Sequence, residues 1–377
     1  MSLASFAEIH SNRDGCAPVR TKIMISRLSN NEPSYVSLLH AGELRRRVEQ
    51  LEALLERCTV CPLDCGNNRL KDELARCYSG QLPIVSSYTP HFGEEPPITG
   101  THGAGNIFFG NCNLRCVYCQ NYQISQAHKE QIKNQITHER LAEMMLELQA
   151  RGCHNINFVS PTHFAPQMAR AIFIAAEQGL RLPIVYNTNS YDSVEVLKLL
   201  DGVVDVYLPD LKYAENEAGF LYSKVRSYRD ISRAALKEMF RQIGDELIVD
   251  DDGLLRRGLV IRLLVLPNDL GGLRESLQWI TRELSPQVTV SLMAQYYPTN
   301  VAGTNPRYTL LSRRISESEW LRAVALLDEF GMENGWMQEY DGAAFYYRPD
   351  FNDSATPFRD VRDFHVIDQT AREAASD

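Results

Sequence analysis

The sequence predicts an α/β fold: a partial (β/α)6 TIM-type barrel preceded by an N-terminal helix and a four-cysteine module. Within residues 100–347, six short β-rich segments alternate with helical patterns, which is the order of right-handed βαβ units around a parallel sheet. Seven of the nine cysteines fall between Cys58 and Cys119, in two groups. The 377 residues leave room for a barrel of about 250 residues and further segments.

The composition limits the classes of protein that fit. With 44% hydrophobic and 23% charged residues, the chain resembles an average globular protein rather than a disordered or collagen-like one. Its formal charge of −9 would repel a phosphate backbone, so we expect no nucleic-acid partner. No apolar run approaches the ~20 residues that cross a bilayer, and the N-terminus lacks the apolar core of a signal peptide. We therefore expect no membrane association and a cytoplasmic location, where clustered cysteines indicate metal ligands rather than disulfides.

The chain divides into four segments. Residues 1–35 are polar, and we expect an arm without regular structure. Residues 36–99 contain one amphipathic helix from Val36 to Arg57, the cysteine module, and a proline-rich connector from residue 83 with little regular structure. Residues 100–347 form the barrel. Residues 348–377 are charged and lack apolar periodicity, which indicates a surface tail.

The barrel segment contains the alternating elements. Strands are predicted at 106–109, 156–159, 182–186, 203–207, 259–265 and 288–292. Helices are predicted at 137–151, 165–178, 193–200, 231–243, 271–284 and 316–330, with Thr137, Ser193 and Ser316 as N-caps. An open doubly wound sheet is the alternative. Both architectures place ligands at the carboxyl ends of the strands.

Three cysteines directly follow the first barrel strand. Cys112, Cys116 and Cys119 have the spacing C-x3-C-x2-C in a tight loop. Three close thiolates suit three irons of a [4Fe–4S] cluster, and the fourth iron then lacks a protein ligand and can take a small chelating molecule. A structural zinc knuckle is the alternative, for which only His102 or His128 is near enough in sequence to be the fourth ligand.

The loop at 110–121 resembles the radical S-adenosylmethionine (SAM) enzymes. The runs CTVCPLDCG at 58–66, PHFGEEPP at 90–97 and SLMAQYY at 291–297 are similar to the PflX-like subgroup, a relative of the pyruvate formate-lyase activating enzyme. The resemblance implies that SAM binds the open iron. It also implies that an electron from the cluster cleaves SAM to methionine and a 5′-deoxyadenosyl radical, which abstracts hydrogen from a substrate. An electron donor such as flavodoxin or ferredoxin is implied as partner.

The resemblance also implies SAM-binding positions after the strands. The main chain at Tyr118 is expected near the adenine, with loop packing as the alternative for its ring. Thr162 and His163 stand where most family members carry Gly-Gly-Glu; they would contact the SAM amino group, or His163 would cap the following helix. Asn187 and Asn189 are expected at the ribose hydroxyls, or they are turn residues.

The later strand ends add charged candidates. Asp210 and Lys212 are similar to an Asp-x-Lys motif that lies near SAM and the substrate backbone, and a local ion pair is the alternative. Arg262 lies inside an apolar strand, where a charge is costly unless paired; the resemblance places it at the SAM carboxylate. Gln295 and Tyr296 are weaker candidates for the substrate side.

The other group of cysteines has the spacing C-x2-C-x3-C-x11-C, and its members are Cys58, Cys61, Cys65 and Cys77. Four thiolates can hold either zinc or a second [4Fe–4S] cluster, and the spacing alone leaves both open. A cluster would relay an electron or bind substrate, whereas zinc would fold the module. Cys153 and Cys16 lack sequence partners and indicate a buried small side chain and an arm residue.

These features favour a radical SAM enzyme. One such enzyme would be an oxidoreductase of the activating-enzyme type. Two substrate classes stay open: a glycyl residue of a protein partner, and a small molecule or peptide side chain. The alternative is a non-catalytic iron–sulfur or zinc protein on the same scaffold, serving electron transfer or assembly. The departure from Gly-Gly-Glu supports that alternative.

Overall fold

The structure is a computed structural model that describes residues 32–340, 349–351 and 357–358, and the backbone of residues 16–18 and 25–27. The strands are β1 Cys16–Pro18, β2 Ile25–Arg27, β3 Val85–His91, β4 Ala104–Phe109, β5 Ile156–Val159, β6 Ile184–Thr188, β7 Val206–Pro209, β8 Leu247–Val249, β9 Leu255–Leu264, β10 Thr289–Met293 and β11 Gly335–Gln338. The helices are α1 Ser34–His40, α2 Glu43–Ala53, α3 Pro96–Thr99, α4 Tyr122–Ser125, α5 His128–Gln131, α6 His138–Ala150, α7 Ala165–Glu177, α8 Val194–Leu199, α9 Asn216–Ser223, α10 Tyr228–Ile243, α11 Leu273–Glu283 and α12 Glu317–Glu329.

The main sheet is parallel and open. Its strand order is β1-β11-β10-β9-β7-β6-β5-β4-β3. The strands from β4 to β11 along this order pair in parallel, while β3 pairs antiparallel with β4 and β1 antiparallel with β11. Strand β8 pairs with β9 and β2 outside this path. The predicted α/β fold with a partial barrel is confirmed, because the parallel strands follow one another through successive βα units and the described sheet is open, with an edge strand at each end.

All six predicted barrel strands are present, as β4, β5, β6, β7, β9 and β10. A seventh parallel strand, β11, has no counterpart in the sequence prediction. It begins at Gly335, whose backbone passes so close to Val290 that an added Cβ would lie 1.8 Å from the Val290 carbonyl oxygen. Glycine is therefore required for β11 to pair with β10.

Two predicted helix starts have side-chain caps. The Thr137 hydroxyl accepts a hydrogen bond from the Arg140 amide at 3.1 Å. At Ser316 a reciprocal capping box forms with Glu319, whose carboxylate accepts from the Ser316 amide at 2.7 Å. Ser193 is the N-cap residue of α8, but its side chain makes no capping hydrogen bond to the described residues.

Three expectations for the N-terminal part were wrong. The single helix predicted from Val36 to Arg57 is two helices, because Gly42 takes a left-handed conformation (φ 72°) that ends α1 and turns the chain into α2. The connector contains β3, whose hydrogen bonds to β4 give it regular structure; its proline, Pro90, lies on an edge strand, where a missing N–H is tolerated. The arm contributes the short strands β1 and β2, and its other residues before 32 lie outside the described part.

The helices cover the sheet and share its core. Leu44, Val48 and Leu51 of α2 are buried in the same apolar cluster as α7 and the barrel strands. At the rim of that contact, Arg170 donates to Glu52 at 2.7 Å. No helix in the described part of the chain is long and apolar enough to span a membrane.

Candidate active site

A cavity of about 250 Å³ lies at the carboxyl ends of the parallel strands. Residues from the ends of β4, β5, β6, β7, β9 and β10 and from the loops after them line it, together with the segment after β3. The sequence-predicted residues among its lining are Cys112, Cys116, Cys119, Tyr118, Asn187, Asn189, Asp210, Lys212, Arg262, Gln295 and Tyr296. The fold thus brings residues that are far apart in sequence to one cavity, as expected for strand ends of a parallel sheet.

The three cysteines lie in a buried loop whose sulfurs receive hydrogen bonds. Cys112 and Cys116 are 8% and 9% exposed, and Cys119 is partly buried. The Leu114 amide donates to Cys112 Sγ at 3.4 Å. Hydroxyl oxygens of Ser223 and Ser125 lie 3.0 Å and 3.3 Å from the sulfurs of Cys116 and Cys119. Such donors stabilise the thiolate form, which is the form that binds metal.

Burial determines the protonation of these thiols when no metal neutralises them. It raises the pKa of Cys112, Cys116 and Cys119, and the negative charge of Cys116 adds to this effect at its two neighbours. The pKa of Cys119 rises to about 12. Such buried thiols ionise when a metal takes the place of the proton. All three are free of disulfides, so they are available as ligands.

Main-chain hydrogen bonds to the end of α9 fix the cysteine loop. The Arg115 amide donates to the Ser223 carbonyl at 3.0 Å, and the Val117 amide donates to Tyr222 at 2.8 Å. The Tyr118 hydroxyl lies 2.7 Å from that of Tyr213. The main chain of the loop is therefore held by α9, while its three cysteines line the cavity.

Arg262 is the centre of a buried charge network. It aligns with Asp210 across neighbouring strand ends, and its Nε donates to Asp210 Oδ1 at 2.8 Å. Its two terminal nitrogens donate to Asn187 Oδ1 at 2.5 Å and to Glu94 Oε2 at 3.3 Å. Lys212 Nζ donates to the other Asp210 oxygen at 2.7 Å. The buried charge is thus fully paired within the protein, as the cost of burying it requires.

This pairing sets the ionisation of the network. Burial by itself would raise the pKa of Asp210, but the charges of Arg262 and Lys212 outweigh it and hold this pKa below its ordinary value. Burial likewise opposes the charge on Lys212, and the Asp210 carboxylate outweighs it and raises the pKa of the amine. Asp210, Lys212 and Arg262 are all charged at neutral pH.

A match to a family sequence model covers residues 106–268, which include the cysteine loop and Arg262, and this family is the radical SAM superfamily. The uncharacterized protein MJ0674 of Methanocaldococcus jannaschii is 30% identical over 339 residues, which are 88% of this chain and 90% of that one. The chain belongs to the radical SAM superfamily. A second protein of the same organism, the uncharacterized protein MJ0808, is 27% identical over 178 residues, or 44% of this chain and 51% of that one.

Two solved structures of the protein HydG are also similar. One is described as a maturase of the [FeFe]-hydrogenase (12% identity, TM-score 0.42), and the other is the enzyme from Carboxydothermus hydrogenoformans (13% identity, TM-score 0.42). Each similarity covers 62% of this chain and about half of the HydG chain, 50% and 52% respectively.

Membership of the radical SAM superfamily implies a [4Fe–4S] cluster and SAM, and the residues present fit both. Cys112, Cys116 and Cys119 supply three buried thiol ligands with hydrogen-bond donors at their sulfurs, and they open onto the cavity. In the same cavity, Glu95 Oε2 is a buried polar atom without a hydrogen-bond partner among the described residues. That atom is a ready acceptor for a polar group of a bound molecule.

Glu94, Glu95 and His91 line the cavity of this radical SAM protein, although the sequence reasoning gave them no role. Glu94 Oε1 accepts from the amides of Asn106 and Asn157 at 3.0 Å and 2.9 Å. Burial raises the pKa of Glu95, with Arg262 opposing the rise, and burial lowers the pKa of His91 to about 4. The available signal was the pair of adjacent acids between glycine and two prolines.

Thr162 and His163 do not line the cavity. The Thr162 hydroxyl lies 3.1 Å from that of Thr188. Burial lowers the pKa of His163 to about 3, so the ring is neutral, and its Nε2 lies 3.0 Å from the Gly110 carbonyl at the start of the cysteine loop. Contact of these residues with SAM stays a prediction; in the structure they support the strand end and the loop.

Asn189 and Asn187 have protein partners as well. Asn189 Nδ2 donates to Asn113 Oδ1 at 2.8 Å and approaches Cys112 Sγ at 3.6 Å, while its oxygen accepts from the Tyr191 amide. This turn therefore joins the end of β6 to the cysteine loop. Asn187 is bonded to Arg262, as described above.

Two phenylalanines of the predicted surface tail pack at this cavity. Phe358 lines it, and its ring centroid lies 4.2 Å from that of His91 and 5.5 Å from that of Phe108. Phe351 is buried against Phe108, with centroids 5.3 Å apart. The tail therefore has an apolar contact with the barrel at these two positions; residues 352–356 and those after 358 lie outside the described part.

The four-cysteine module packs directly against the cysteine loop. Cys58, Cys61 and Cys77 are buried, and Cys65 is partly exposed. Amides of Leu63 and Arg76 donate to the sulfurs of Cys61 and Cys65. Among the described residues, no three His, Cys, Asp or Glu side chains converge closely enough to hold a single metal ion, and this includes both cysteine groups and the histidines near them.

Proposed function

We propose that this radical SAM protein cleaves SAM reductively and uses the resulting 5′-deoxyadenosyl radical to abstract a hydrogen atom from its substrate. One observation carries the proposal: the C-x3-C-x2-C cysteines open onto the same strand-end cavity as Asp210, Lys212 and Arg262. A [4Fe–4S] cluster held by Cys112, Cys116 and Cys119 would supply the electron and bind SAM. The protein would orient SAM and exclude water.

The cavity residues match the functional groups of SAM by charge. Asp210 and Glu94 suit its ammonium and sulfonium groups, and Arg262 and Lys212 suit its carboxylate. Because Glu94 is the most distant partner of Arg262, at 3.3 Å, its bond is the one that a SAM carboxylate would most easily replace. Tyr118, Asn187 and Asn189 lie along the same cavity and suit the adenine and ribose.

We keep both substrate classes within this proposal. An activase would act on a glycyl residue of a protein partner, and co-purification of a stable partner with the chain would support this class. Otherwise the substrate is a small molecule or a peptide side chain. In either case we propose a cytoplasmic enzyme that takes its electron from a donor such as flavodoxin or ferredoxin.

One observation favours a second candidate, a non-catalytic iron–sulfur or zinc protein that serves electron transfer or assembly. The chain lacks the family's Gly-Gly-Glu run, and Thr162 and His163 at that place do not line the cavity. This candidate predicts a cluster whose electron paramagnetic resonance (EPR) spectrum does not change when SAM is added.

The test is 5′-deoxyadenosine formation by protein that has been reconstituted with iron and sulfide under argon and reduced with dithionite. We expect product from the wild type and none from Cys112→Ala. The matched control is Cys153→Ala, which removes a buried cysteine outside the cavity and should retain activity. If fully loaded wild type gives neither product nor a SAM-dependent EPR change, the non-catalytic candidate replaces the proposal.

A further inference from the structure

Three buried hydroxyl groups connect the catalytic cavity with the sulfur of Cys116. The Tyr118 hydroxyl lies 2.7 Å from that of Tyr213, which lies 2.8 Å from the hydroxyl of Ser223. The Ser223 hydroxyl in turn lies 3.0 Å from Cys116 Sγ. Tyr213 and Ser223 are fully buried, and Tyr118 is nearly so. These four side chains therefore form one continuous chain of hydrogen bonds in the protein interior, which we call the hydroxyl chain.

Three separate elements supply the hydroxyl chain. Tyr118 belongs to the cysteine loop and lines the cavity, Tyr213 lies in the loop after β7, and Ser223 is the last residue of α9. The Arg115 amide donates to the Ser223 carbonyl at 3.0 Å, so the main chain of the cysteine loop holds Ser223 beside Cys116. The fold itself thus sets the position of each hydroxyl group.

A metal bound to Cys116 fixes the direction of every hydrogen bond in the hydroxyl chain. A metal-bound thiolate carries no proton and can only accept, so the Ser223 hydroxyl donates to it. Because each hydroxyl has a single hydrogen, the Ser223 oxygen accepts from Tyr213, and the Tyr213 oxygen accepts from Tyr118. All three donors then point towards the sulfur. Hydrogen bonds that are aligned in this way polarise one another and strengthen the last bond, from Ser223 to Cys116.

The hydrogen bonds at the other two catalytic sulfurs are longer. The hydroxyl of Ser125 lies 3.3 Å from Cys119 Sγ, and no further donor bonds to this hydroxyl in the described part of the chain. Cys112 Sγ has amide donors at 3.4 Å and 3.6 Å. Cys116 therefore has the shortest of these contacts and a hydroxyl donor that two further hydroxyls polarise.

We propose that the hydroxyl chain raises the reduction potential of the catalytic [4Fe–4S] cluster through Cys116, with Tyr213 and Ser223 as positioning residues. Reduction of the cluster from 2+ to 1+ adds an electron, and the thiolate ligands share the added negative charge. A hydrogen-bond donor at the Cys116 sulfur stabilises that charge and so favours the reduced cluster.

The electron comes from a low-potential one-electron donor of the flavin or iron–sulfur class, and no bond is made or broken when it arrives. The effect of the hydroxyl chain on the potential requires only the cluster that superfamily membership implies. Its benefit for SAM cleavage rests on the proposed function, because there the cluster has to be reduced before it cleaves SAM.

The first test measures the midpoint potential of the reconstituted cluster by an EPR-monitored redox titration. Ser223→Ala removes the donor to Cys116, and we expect the equilibrium constant for reduction to fall about tenfold, or about 59 mV for one electron. Tyr213→Phe keeps the ring and removes the hydroxyl that polarises Ser223, so we expect a smaller shift in the same direction. The matched control is Tyr222→Phe, which should keep the wild-type potential. The Tyr222 ring is buried 6.3 Å from that of Tyr213, and its hydroxyl makes no hydrogen bond to the described residues.

The potentials decide the inference in each case. An unchanged potential in Ser223→Ala would overturn it. If Ser223→Ala shifts the potential but Tyr213→Phe behaves as Tyr222→Phe does, Ser223 acts alone and the hydroxyl chain is overturned. Should Ser223→Ala fail to fold or to take up iron, a lower potential for Tyr213→Phe than for Tyr222→Phe supports the chain, and equal potentials overturn it. A wild type that takes up no cluster overturns it as well.

A second readout identifies the donor directly. Electron nuclear double resonance of the reduced wild type should show a strongly coupled proton that exchanges in D2O, because the hydrogen of the Ser223 hydroxyl points at the Cys116 sulfur. Ser223→Ala should lose this signal. Ser125→Ala, which removes the hydroxyl at Cys119, should retain it. The same exchangeable proton in Ser223→Ala would refute the assignment.

These outcomes are separate from the proposed function, because neither readout requires SAM. If Ser223→Ala and Tyr213→Phe lower the potential while the wild type forms no 5′-deoxyadenosine, the hydroxyl chain stands and the proposed function is overturned. If the wild type forms product while both variants keep the wild-type potential, the proposed function stands and the hydroxyl chain is overturned.

Discussion

Replacing Arg262 by glutamine should destabilise the protein by about 3 kcal/mol. The guanidinium is 14% exposed and bonded to Asp210, Glu94 and Asn187. Removing one partner of a buried ion pair costs about 3–5 kcal/mol, because the other charge stays buried. The lower end applies here, since Asp210 keeps Lys212 at 2.7 Å and Glu94 keeps two asparagine amides.

Guanidinium denaturation of anaerobically reconstituted protein measures this change as a lower midpoint at an unchanged slope. The matched control is Arg241→Gln. Arg241 also bonds two acids, Glu238 and Asp201, but its side chain is 56% exposed, so its loss should cost at most about 1 kcal/mol. Equal midpoints for the two variants would refute the conclusion that the Arg262 network is electrostatically buried.

Further predictions concern the fold. Gly335→Ala should destabilise the protein by at least about 3 kcal/mol, because the added Cβ would meet the Val290 carbonyl. Gly331 has open space around it, so Gly331→Ala should destabilise the protein by only about 1 kcal/mol, the cost of placing alanine in a left-handed backbone conformation. Thermal melting of the two variants compares these losses. Thr137→Ala should lower the free energy of unfolding by about 1 kcal/mol and Ser193→Ala by clearly less, because Thr137 makes a capping hydrogen bond and Ser193 makes none to the described residues. Urea denaturation measures both changes, and equal losses for the two variants would contradict this prediction. Burial raises the pKa of Asp205 from 3.8 to about 6. The folded state then holds a proton that the unfolded chain has released, so this group's contribution to stability falls as pH rises from about 4 to about 6. Denaturation measured across this pH range should show that the stability of Asp205→Asn does not decrease in this way. If the variant and the wild type have the same dependence of stability on pH, the conclusion that burial raises the pKa of Asp205 is refuted.

The strands that the sequence predicts are those with runs of β-branched and apolar residues, because both faces of a parallel sheet are covered. The missed strands lack that pattern. β3 contains serines, a threonine and Pro90, residues typical of loops, and it is a strand because β4 offers it an antiparallel partner. β11 is four residues long and begins with Gly335, whose role in close packing against β10 is a tertiary property. In the same way, Gly42 fits the helical period, and only the three-dimensional turn shows that it separates two helices.

The candidate site was predictable where residues follow parallel strands, because topology alone brings those positions together. Asp210 and Arg262 illustrate this, since they lie side by side at adjacent strand ends. Position alone does not fix which way a side chain points: Thr162 and His163 follow β5 and yet do not line the cavity, and they bond instead to Thr188 and Gly110. Glu94 and Glu95 follow an edge strand that was not predicted, and so the sequence did not indicate their place in the cavity.

The segment after β3 changes the charge of the cavity in the direction that SAM binding requires. The barrel's own strand ends contribute Asp210, Lys212 and Arg262, a net positive set that would repel a sulfonium. Glu94 balances this charge, and Glu95, whose buried carboxyl has a raised pKa, can add a second negative charge when a cation enters. SAM carries a sulfonium, an ammonium and one carboxylate, and thus a net positive charge. With Glu94 included, the charges of Asp210, Lys212 and Arg262 are balanced, and Glu95 can ionise in addition, so the cavity suits a positively charged ligand. The residues at the strand ends alone would repel such a ligand. Under the proposed function, the connector is therefore part of the SAM-binding site, and Glu95→Gln should weaken SAM binding more than it changes folding stability.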